Sequence, residues 1–304
     1  AENDHLNIYR QFDFGGLVNL MMLDTRILAR HKQLNYNDYM TATGIDAVKF
    51  QTDLLNPQRT LMGVAQRQWL QEQLMQSTAP WNVLGQQVLM AKMLIPQELL
   101  LLLGQITNGD QRPETLAQMK QKITELLTLK MRSKANDPTL TAMDEARLNA
   151  VAPYNLDAWD GYAYEREVVY ETLQQLKKKA VVLAGDTHNA WAASLHTHET
   201  NHEVGVEFAT SSVSSPGIEY YLNVPAAEMV ELENAFKLLI YELDYCNLNQ
   251  RGYLTVTFDH DQVVADWKFV DTVKAREYKV DSTRSHQMTY DVHLKPIIEV
   301  AKTA

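Results

Sequence analysis

The 304-residue sequence contains a single cysteine and fewer basic than acidic residues. Because Cys246 has no second cysteine to pair with, an intrachain disulfide and a zinc site built from clustered cysteines are both excluded. Lys and Arg total 28 against 38 Asp and Glu, which gives a net charge of −10. Nucleic acids and anionic membranes both require a basic binding face, so we expect neither as a partner.

Long apolar runs are also missing. The longest is the five leucines Leu99–Leu103, far short of the roughly 20 residues of a membrane-spanning helix, so no transmembrane segment is expected. Residues Ala1–His5 are polar and acidic and predict no signal peptide, because a basic segment followed by an apolar one is lacking. Hydrophobic residues make up 45% of the chain and charged residues 22%, which is typical of a globular protein.

Predicted strands alternate with predicted helices, as in a layered α/β fold. Apolar runs that end at polar residues predict strands, and apolar residues at three- and four-residue spacing predict helices. Residues 29–59 are predicted to be irregular, and residues 94–158 a helical insertion whose last part, 132–158, is a loose connector. The predicted strands are Leu17–Leu23, Trp81–Leu84, Ala180–Ala184, Val204–Ala209 and the hairpin Tyr253–Phe258 with Val263–Val270. The predicted helices lie at 63–74, around 116–127, after Trp159–Tyr162 and around 229–239.

The sharpest candidates for chemistry follow the predicted strand Ala180–Ala184. Asp186 and His188 are two residues apart and project on the same side, and a carboxylate with an imidazole suits zinc, iron or manganese. The alternative is an ordinary turn in which the aspartate caps the next helix. The histidine cluster at 196–202 also has a spacing that a metal could use, but its polar surroundings favour a solvated loop.

Polar residues at other strand ends are candidates for holding a phosphate. Arg26 ends the first strand and can bind a phosphate through two parallel hydrogen bonds, or it forms a buried ion pair with Asp24. Thr210–Ser212 could donate hydroxyl hydrogen bonds, or form a serine-rich turn. A third group offers an aromatic wall beside a carboxylate, although that carboxylate could instead cap the following helix. Its members are Trp159, Asp160 and Tyr162.

Six motifs occur in a recognisable order. They are Tyr9-Arg10 with Phe14-Gly15 and Leu23–Arg26, then Leu61–Gly63 with Gln66 and Trp69-Leu70, then Trp81–Leu84 with Gln87-Val88, then Trp159–Tyr162 with Arg166, then Gly185–His188, then Glu207-Phe208 with Thr210-Ser211 and Ser214–Gly217. Together they resemble the C-terminal part of the alkaline phosphatase D (PhoD-like) family of metallophosphatases, from about residue 8 to residue 270. The shared order of the motifs, rather than any one of them, carries the resemblance.

The resemblance implies part of a calcineurin-like metallophosphoesterase fold, a two-sheet β-sandwich flanked by helices with metals at the strand ends. It also implies hydrolysis of phosphate monoesters and diesters, iron and calcium as cofactors, and a periplasmic or secreted location. Asp186 and His188 match the family's Asp-for-His version of its last metal motif, so the resemblance makes them catalytic metal ligands. Gln87 falls where a related motif places a histidine, which makes it a metal-site residue or a support for one.

The family's other metal-ligand motifs are not found in the sequence. Similar proteins carry a cysteine near the first strand, a Gly-Asp-x-Ile-Tyr-like motif and an Asp-Asp-His-Glu motif, which Asp4-His5 does not match. We therefore expect residues 1–93 and 159–304 to form the C-terminal part of the domain, with 94–158 inserted. The missing N-terminal half, in cis or in trans, is then an expected partner, and exposed strand edges would favour self-association.

Two other interpretations remain open. The chain could be a catalytically inactive C-terminal domain or fragment that acts as an interaction module. It could also be an unrelated α/β binding module in which Gly185–His188 is only a turn.

Overall fold

The computed structural model describes residues 7–41, 44–110 and 112–297. The predictions for Ala1–His5 and for the Asp4-His5 pair fall outside these residues. The described strands are β1 (Arg10–Phe14), β2 (Val18–Met22), β3 (Met40–Thr41), β4 (Gly44–Ile45), β5 (Trp81–Gly85), β6 (Leu94–Pro96), β7 (Val151–Pro153), β8 (Ala180–Ala184), β9 (Ala190–His196), β10 (Glu203–Ala209), β11 (Leu243–Asn247), β12 (Arg251–Phe258), β13 (Gln262–Val270) and β14 (His286–Asp291). The described α-helices are α1 (Ala47–Leu54), α2 (Val64–Gln76), α3 (Gln97–Thr107), α4 (Pro113–Lys134), α5 (Ala142–Asn149), α6 (Ala163–Gln175), α7 (Ile218–Leu222) and α8 (Met229–Leu239).

A seven-stranded sheet forms the centre of the fold, in the order β1-β2-β5-β8-β10-β9-β11. Its four middle strands, β2, β5, β8 and β10, run parallel to one another. These four strands are the apolar runs that the sequence predicts, and the predictions are confirmed. Because parallel strands end at one edge of a sheet, the loops after β2, β5, β8 and β10 meet at a single carboxyl edge.

A second sheet covers one face of the large one. It contains β12, β13 and β14, and every second side chain of β13, from Val263 to Phe269, is buried. Trp267 packs edge-on against Phe208 of the large sheet and donates from Nε1 to the carbonyl of Ala209 at 3.0 Å. The predicted α/β architecture of layered sheets and helices is therefore confirmed.

Helices cover the opposite face of the large sheet and share one core with it. Leu99, Leu100 and Leu103 of the five-leucine run belong to this core, together with Leu126 of α4. The antiparallel pair of β6 and β7 closes the base of the α3–α5 segment. Among the described helices, none has both the length and the apolar character that crossing a bilayer would require.

Two predictions of irregular structure are wrong. Residues 29–59 contain β3, β4 and α1, whose N-terminus is capped by Asp46 accepting from the Lys49 amide at 3.0 Å. Residues 132–158 contain α5 and β7, and α5 begins with a reciprocal capping box between Thr141 and Asp144. Both helices are only eight residues long, so their capping contacts mark starts that so short an apolar pattern does not reveal.

Buried carboxylates fix the loop that follows β5. Both oxygens of Glu207 accept backbone hydrogen bonds, from Met90 and Ala91 at 2.8 Å each. Glu242 accepts from the Lys92 amide at 2.7 Å. Burial raises the pKa of Glu207 to about 8 and that of Glu242 to about 7. These carboxylates anchor a loop that begins at the carboxyl edge of the sheet.

Candidate active site

The turn after β8 lies at the carboxyl edge of the sheet and has an unusual backbone. Asp186 and His188 have φ angles of 59° and 65°, in the left-handed region where a non-glycine residue costs roughly 1 kcal/mol or more. The turn is held by the Gly185 amide donating to the Gln87 carbonyl at 3.1 Å and by the Ser212 amide donating to the His188 carbonyl at 3.2 Å. Asp186 and His188 are therefore two non-glycine residues with strained backbones within three positions of the chain. Such a cluster favours a functional site over an ordinary turn.

The His188 ring is oriented by a backbone carbonyl. Its Nδ1 lies 2.8 Å from the carbonyl oxygen of Pro216. A carbonyl can only accept, so Nδ1 carries the proton and the lone pair of the neutral ring is on Nε2. Metal-binding histidines commonly have this arrangement, with the second nitrogen donating to a carbonyl.

Arg26 lies beside Asp186, 160 residues away in the chain. Its guanidinium contacts the carboxylate of Asp186 and also Asp157, the latter at 2.8 Å. Burial alone would raise the pKa of Asp157, but the guanidinium groups of Arg26 and Arg30 outweigh it and lower that pKa. The arginine predicted to bind phosphate is thus placed next to the aspartate predicted to bind metal.

The alternative of a buried Asp24–Arg26 ion pair is wrong. The Asp24 carboxylate accepts from the backbone amides of Arg26, Ile27 and Leu28, at 2.8, 2.9 and 3.1 Å. These bonds close the turn after β2. The Arg26 side chain is therefore left to reach the other loops of the edge.

Gln87 connects the loops that follow β2 and β5. Its Oε1 accepts from the amide and the hydroxyl of Thr25, at 2.8 and 2.6 Å, and its Nε2 donates to the Leu23 carbonyl at 2.9 Å. Both lone pairs of Oε1 are therefore in use. This geometry agrees with a supporting role, and direct metal contact by Gln87, which would require these bonds to break, stays a prediction.

Thr210 lies at the same edge, directly after β10. Its amide donates to the Ala184 carbonyl at 3.0 Å, and its hydroxyl donates to the Ser211 carbonyl at 3.2 Å. The Ser212 hydroxyl donates to the Ser215 carbonyl, as in a serine-rich turn. Phosphate binding by Thr210 stays a prediction, for which its hydroxyl would have to rotate.

The predicted aromatic wall is buried beneath the edge. Trp159 donates from Nε1 to Gln86 Oε1 at 2.6 Å, and the Tyr162 hydroxyl donates to the His31 carbonyl at 2.6 Å. Asp160 pairs with Arg166 and accepts from the Met93 amide. Each of these three predicted substrate-binding residues is at most 1% exposed, so contact with substrate would require the core to open and stays a prediction.

The alternative role of Asp160 as a helix cap is wrong. The N-cap position of α6 is occupied by Tyr162. The carboxylate of Asp160 instead accepts from Arg166 and from the Met93 amide, both of which lie inside the core.

The histidine cluster at 196–202 lies at the opposite edge of the sheet. His196 ends β9, and His198 and His202 lie in the connection to β10, so the predicted loop begins one residue later than the cluster.

In the described ranges, no group of three or more His, Cys, Asp or Glu side chains is placed to hold a metal ion. Asp186 and His188 fit a metal by chemistry and by the orientation of His188, and they provide two ligands.

Asn189 is a site residue that the sequence did not reveal. Its Oδ1 accepts from the Ile218 amide at 2.9 Å, and its Nδ2 donates to the Leu248 carbonyl at 2.6 Å. It thereby holds the 216–218 turn that orients His188. No local pattern signals this role, because its partners lie 29 and 59 residues away.

Replacing Gly217 with Ala is expected to lower the free energy of unfolding by about 1–3 kcal/mol. A Cβ on Gly217 would lie 2.4 Å from both Oδ1 and Nδ2 of Asn189, so this side chain must move. The measurement is urea-induced unfolding. The control is Gly104→Ala in α3, where a Cβ meets no atom within 4 Å and stability should rise slightly; an unchanged Gly217→Ala variant would contradict the proposed packing.

A cleft of about 810 Å³ opens beside Asp186 and His188. One wall is helix α3, and another is the 216–221 segment. The lining is completed by Tyr36, Asn37, Met40, Ile45, Tyr154 and Asn155. The carboxyl edge therefore combines a carboxylate, an imidazole and a guanidinium with a cavity of the size typical of small-molecule sites.

Comparison with known proteins identifies relatives of the chain. The family model described as PhoD-like phosphatase matches residues 1–267. Alkaline phosphatase D of Bacillus subtilis (strain 168) is 30% identical over 272 residues, which cover 88% of this chain and 35% of that protein. A solved structure titled "Structure of PhoD" aligns with a TM-score of 0.63 and 26% identity, covering 97% of this chain and 44% of that one. The chain thus spans less than half the length of these relatives.

Proposed function

Because the chain belongs to the PhoD-like phosphatase family, we propose that it forms one side of an active site that hydrolyses phosphate esters, both monoesters and diesters, with bound metal ions. The observation that carries the proposal is the pair of left-handed residues Asp186 and His188 at the carboxyl edge, with Arg26 beside them. The calcineurin-like arrangement of the two sheets and the use of iron and calcium are part of the same proposal.

Each residue has a separate task in this proposal. The Asp186 carboxylate and His188 Nε2 hold part of the metal centre, and Pro216 keeps the proton on Nδ1. The metal ions, when bound, supply positive charge to the phosphoryl oxygens and an acidified water. While the metal centre is incomplete, Arg26 pairs with Asp186 and neutralises its charge. When substrate is bound, the Arg26 guanidinium instead binds the phosphate through two parallel hydrogen bonds. Thr210 adds a hydroxyl donor.

The remaining metal ligands are proposed to come from outside the described residues. A two-metal centre needs more than the two ligands that Asp186 and His188 provide. The two relatives support this proposal, because this chain covers only 35% and 44% of their lengths. A location in the periplasm or outside the cell is proposed on the same family grounds.

A second candidate function is that of an inactive module. It is favoured by the ion pair of Arg26 with Asp186, which neutralises a proposed ligand, and by the lack of a larger ligand cluster in the part of the chain that the structure describes. Such a module would use the same edge to contact a partner instead of a substrate.

Metal content and turnover of p-nitrophenyl phosphate separate the two candidates. Both are measured on the 304-residue chain and on the full product of its gene. Metal-dependent turnover by the full product, with little or none by the 304-residue chain, supports a shared metal centre. A full product that binds no metal and does not hydrolyse the ester would overturn the proposed activity and favour the module.

A further inference from the structure

The cleft beside Asp186 contains exposed apolar side chains among its lining residues. Met40, Leu101 and Tyr221 line it, and each is about half exposed, at 52%, 51% and 50%. Exposed apolar side chains are normal when they are scattered. Several of them on one concave surface indicate a surface that binds an apolar group.

The charge of the lining indicates the same ligand chemistry. Among the described residues that form the cleft, Asp186 is the only Asp, Glu, Lys or Arg. The other polar side chains near α3 are neutral amides, Gln105 and Asn108 among them. A second phosphate or a carboxylate would find no cation in this lining. The cleft therefore fits an uncharged group attached to the phosphate.

The five-leucine run gives the wall its rigidity. Leu99, Leu100 and Leu103 are buried, with 3%, 8% and 9% exposure, and they anchor α3 in the core. Leu100, Leu101 and Leu103 all line the cleft, and Leu101 is the exposed one of the three. The run thus joins this wall of the cleft directly to the core, which assigns a role to α3.

We propose that this cleft binds the alcohol part of the substrate, and that apolar contact with α3 favours phosphate esters of bulky aryl or alkyl alcohols over esters of small alcohols. The proposal rests on the proposed function, because it takes Asp186 and His188 as the end that holds the phosphate. The preference then comes from the apolar area that a bulky leaving group buries against Leu101 and Met40.

The test is equilibrium binding, by titration calorimetry, of two phosphonates that cannot be hydrolysed, (1-naphthyl)methylphosphonate and methylphosphonate. The full product of the gene is used with its metals bound. We expect the naphthyl compound to bind at least about tenfold more tightly, because its ring buries apolar area against the wall. Leu101→Asn should weaken naphthyl binding about fivefold to tenfold and leave methylphosphonate binding unchanged.

Two further variants complete the experiment. Met40→Asn, on a different segment of the wall, should have the same selective effect, so the result does not depend on α3 alone. Met131→Asn is the matched control, because Met131 is an exposed apolar residue on α4 outside the cleft, and it should change neither affinity. Circular dichroism confirms that each variant is folded.

Equal affinity of the unmodified protein for the two phosphonates would overturn the inference. So would an unchanged preference in both Leu101→Asn and Met40→Asn. Failure of the proposed function has a different signature, namely no turnover of p-nitrophenyl phosphate in a protein that still discriminates between the two phosphonates.

Discussion

Replacing Asp186 with Ala is expected to lower kcat/KM for p-nitrophenyl phosphate by on the order of 10³-fold. Metal ions contribute several kcal/mol of charge stabilisation in the transition state, and a loss of about 4 kcal/mol corresponds to about 10³-fold in rate. The measurement uses the full product of the gene at saturating metal, with metal content determined in parallel. We expect metal content and turnover to fall together, because the same carboxylate serves both.

The folded state should tolerate this substitution. Asp186 is half-exposed, so the ion pair with Arg26 adds little to stability. The matched control is Asp266→Ala, which removes an aspartate that pairs with Lys268 on the outer sheet and should leave turnover unchanged. Turnover of Asp186→Ala within threefold of the unmodified protein would contradict a role for Asp186 in the active site.

Replacing Asp160 with Asn should cost about 3 kcal/mol or more of the free energy of unfolding. Asp160 and Arg166 are 1% and 4% exposed and form a buried ion pair. Removing the charge of Asp160 leaves the buried Arg166 guanidinium with the more distant Glu167, at 3.9 Å, and breaking a buried pair typically costs about 3–5 kcal/mol. Asparagine retains an oxygen that can accept from the Met93 amide, whereas its Nδ2 cannot accept from Arg166, so the change removes the charge together with that one hydrogen bond. Urea-induced unfolding followed by circular dichroism measures the effect.

Two further variants test the origin of this cost. Adding Arg166→Met to Asp160→Asn should recover part of the lost stability, because the uncompensated charge is then gone. Lys268→Ala breaks an exposed pair with Asp266 and should change stability by no more than about 0.5 kcal/mol. A cost for Asp160→Asn as small as that of Lys268→Ala would show that the buried charge is not balanced by Asp160.

The sequence by itself determined the central strands and the position of the candidate site. Runs such as Ala180–Ala184 are apolar throughout, and only a strand buried on both faces accounts for so short a run followed by polar residues. The polar residues that follow must then meet at one edge of the sheet. For this reason Asp186 and His188 could be chosen without a structure. The short elements in 29–59 and 132–158 were not predicted, because each spans at most eight residues, which is too short for an apolar pattern to be distinctive.

Only the tertiary structure decided which side chains meet. Arg26 contacts Asp186 across 160 residues, and the sequence instead offered the nearby Asp24 as its partner. The aromatic rings of Trp159 and Tyr162 suit a binding wall, yet both side chains lie in the core. The physical reason is that local spacing determines the face of an element on which a residue lies. What that face contacts depends on how distant segments pack.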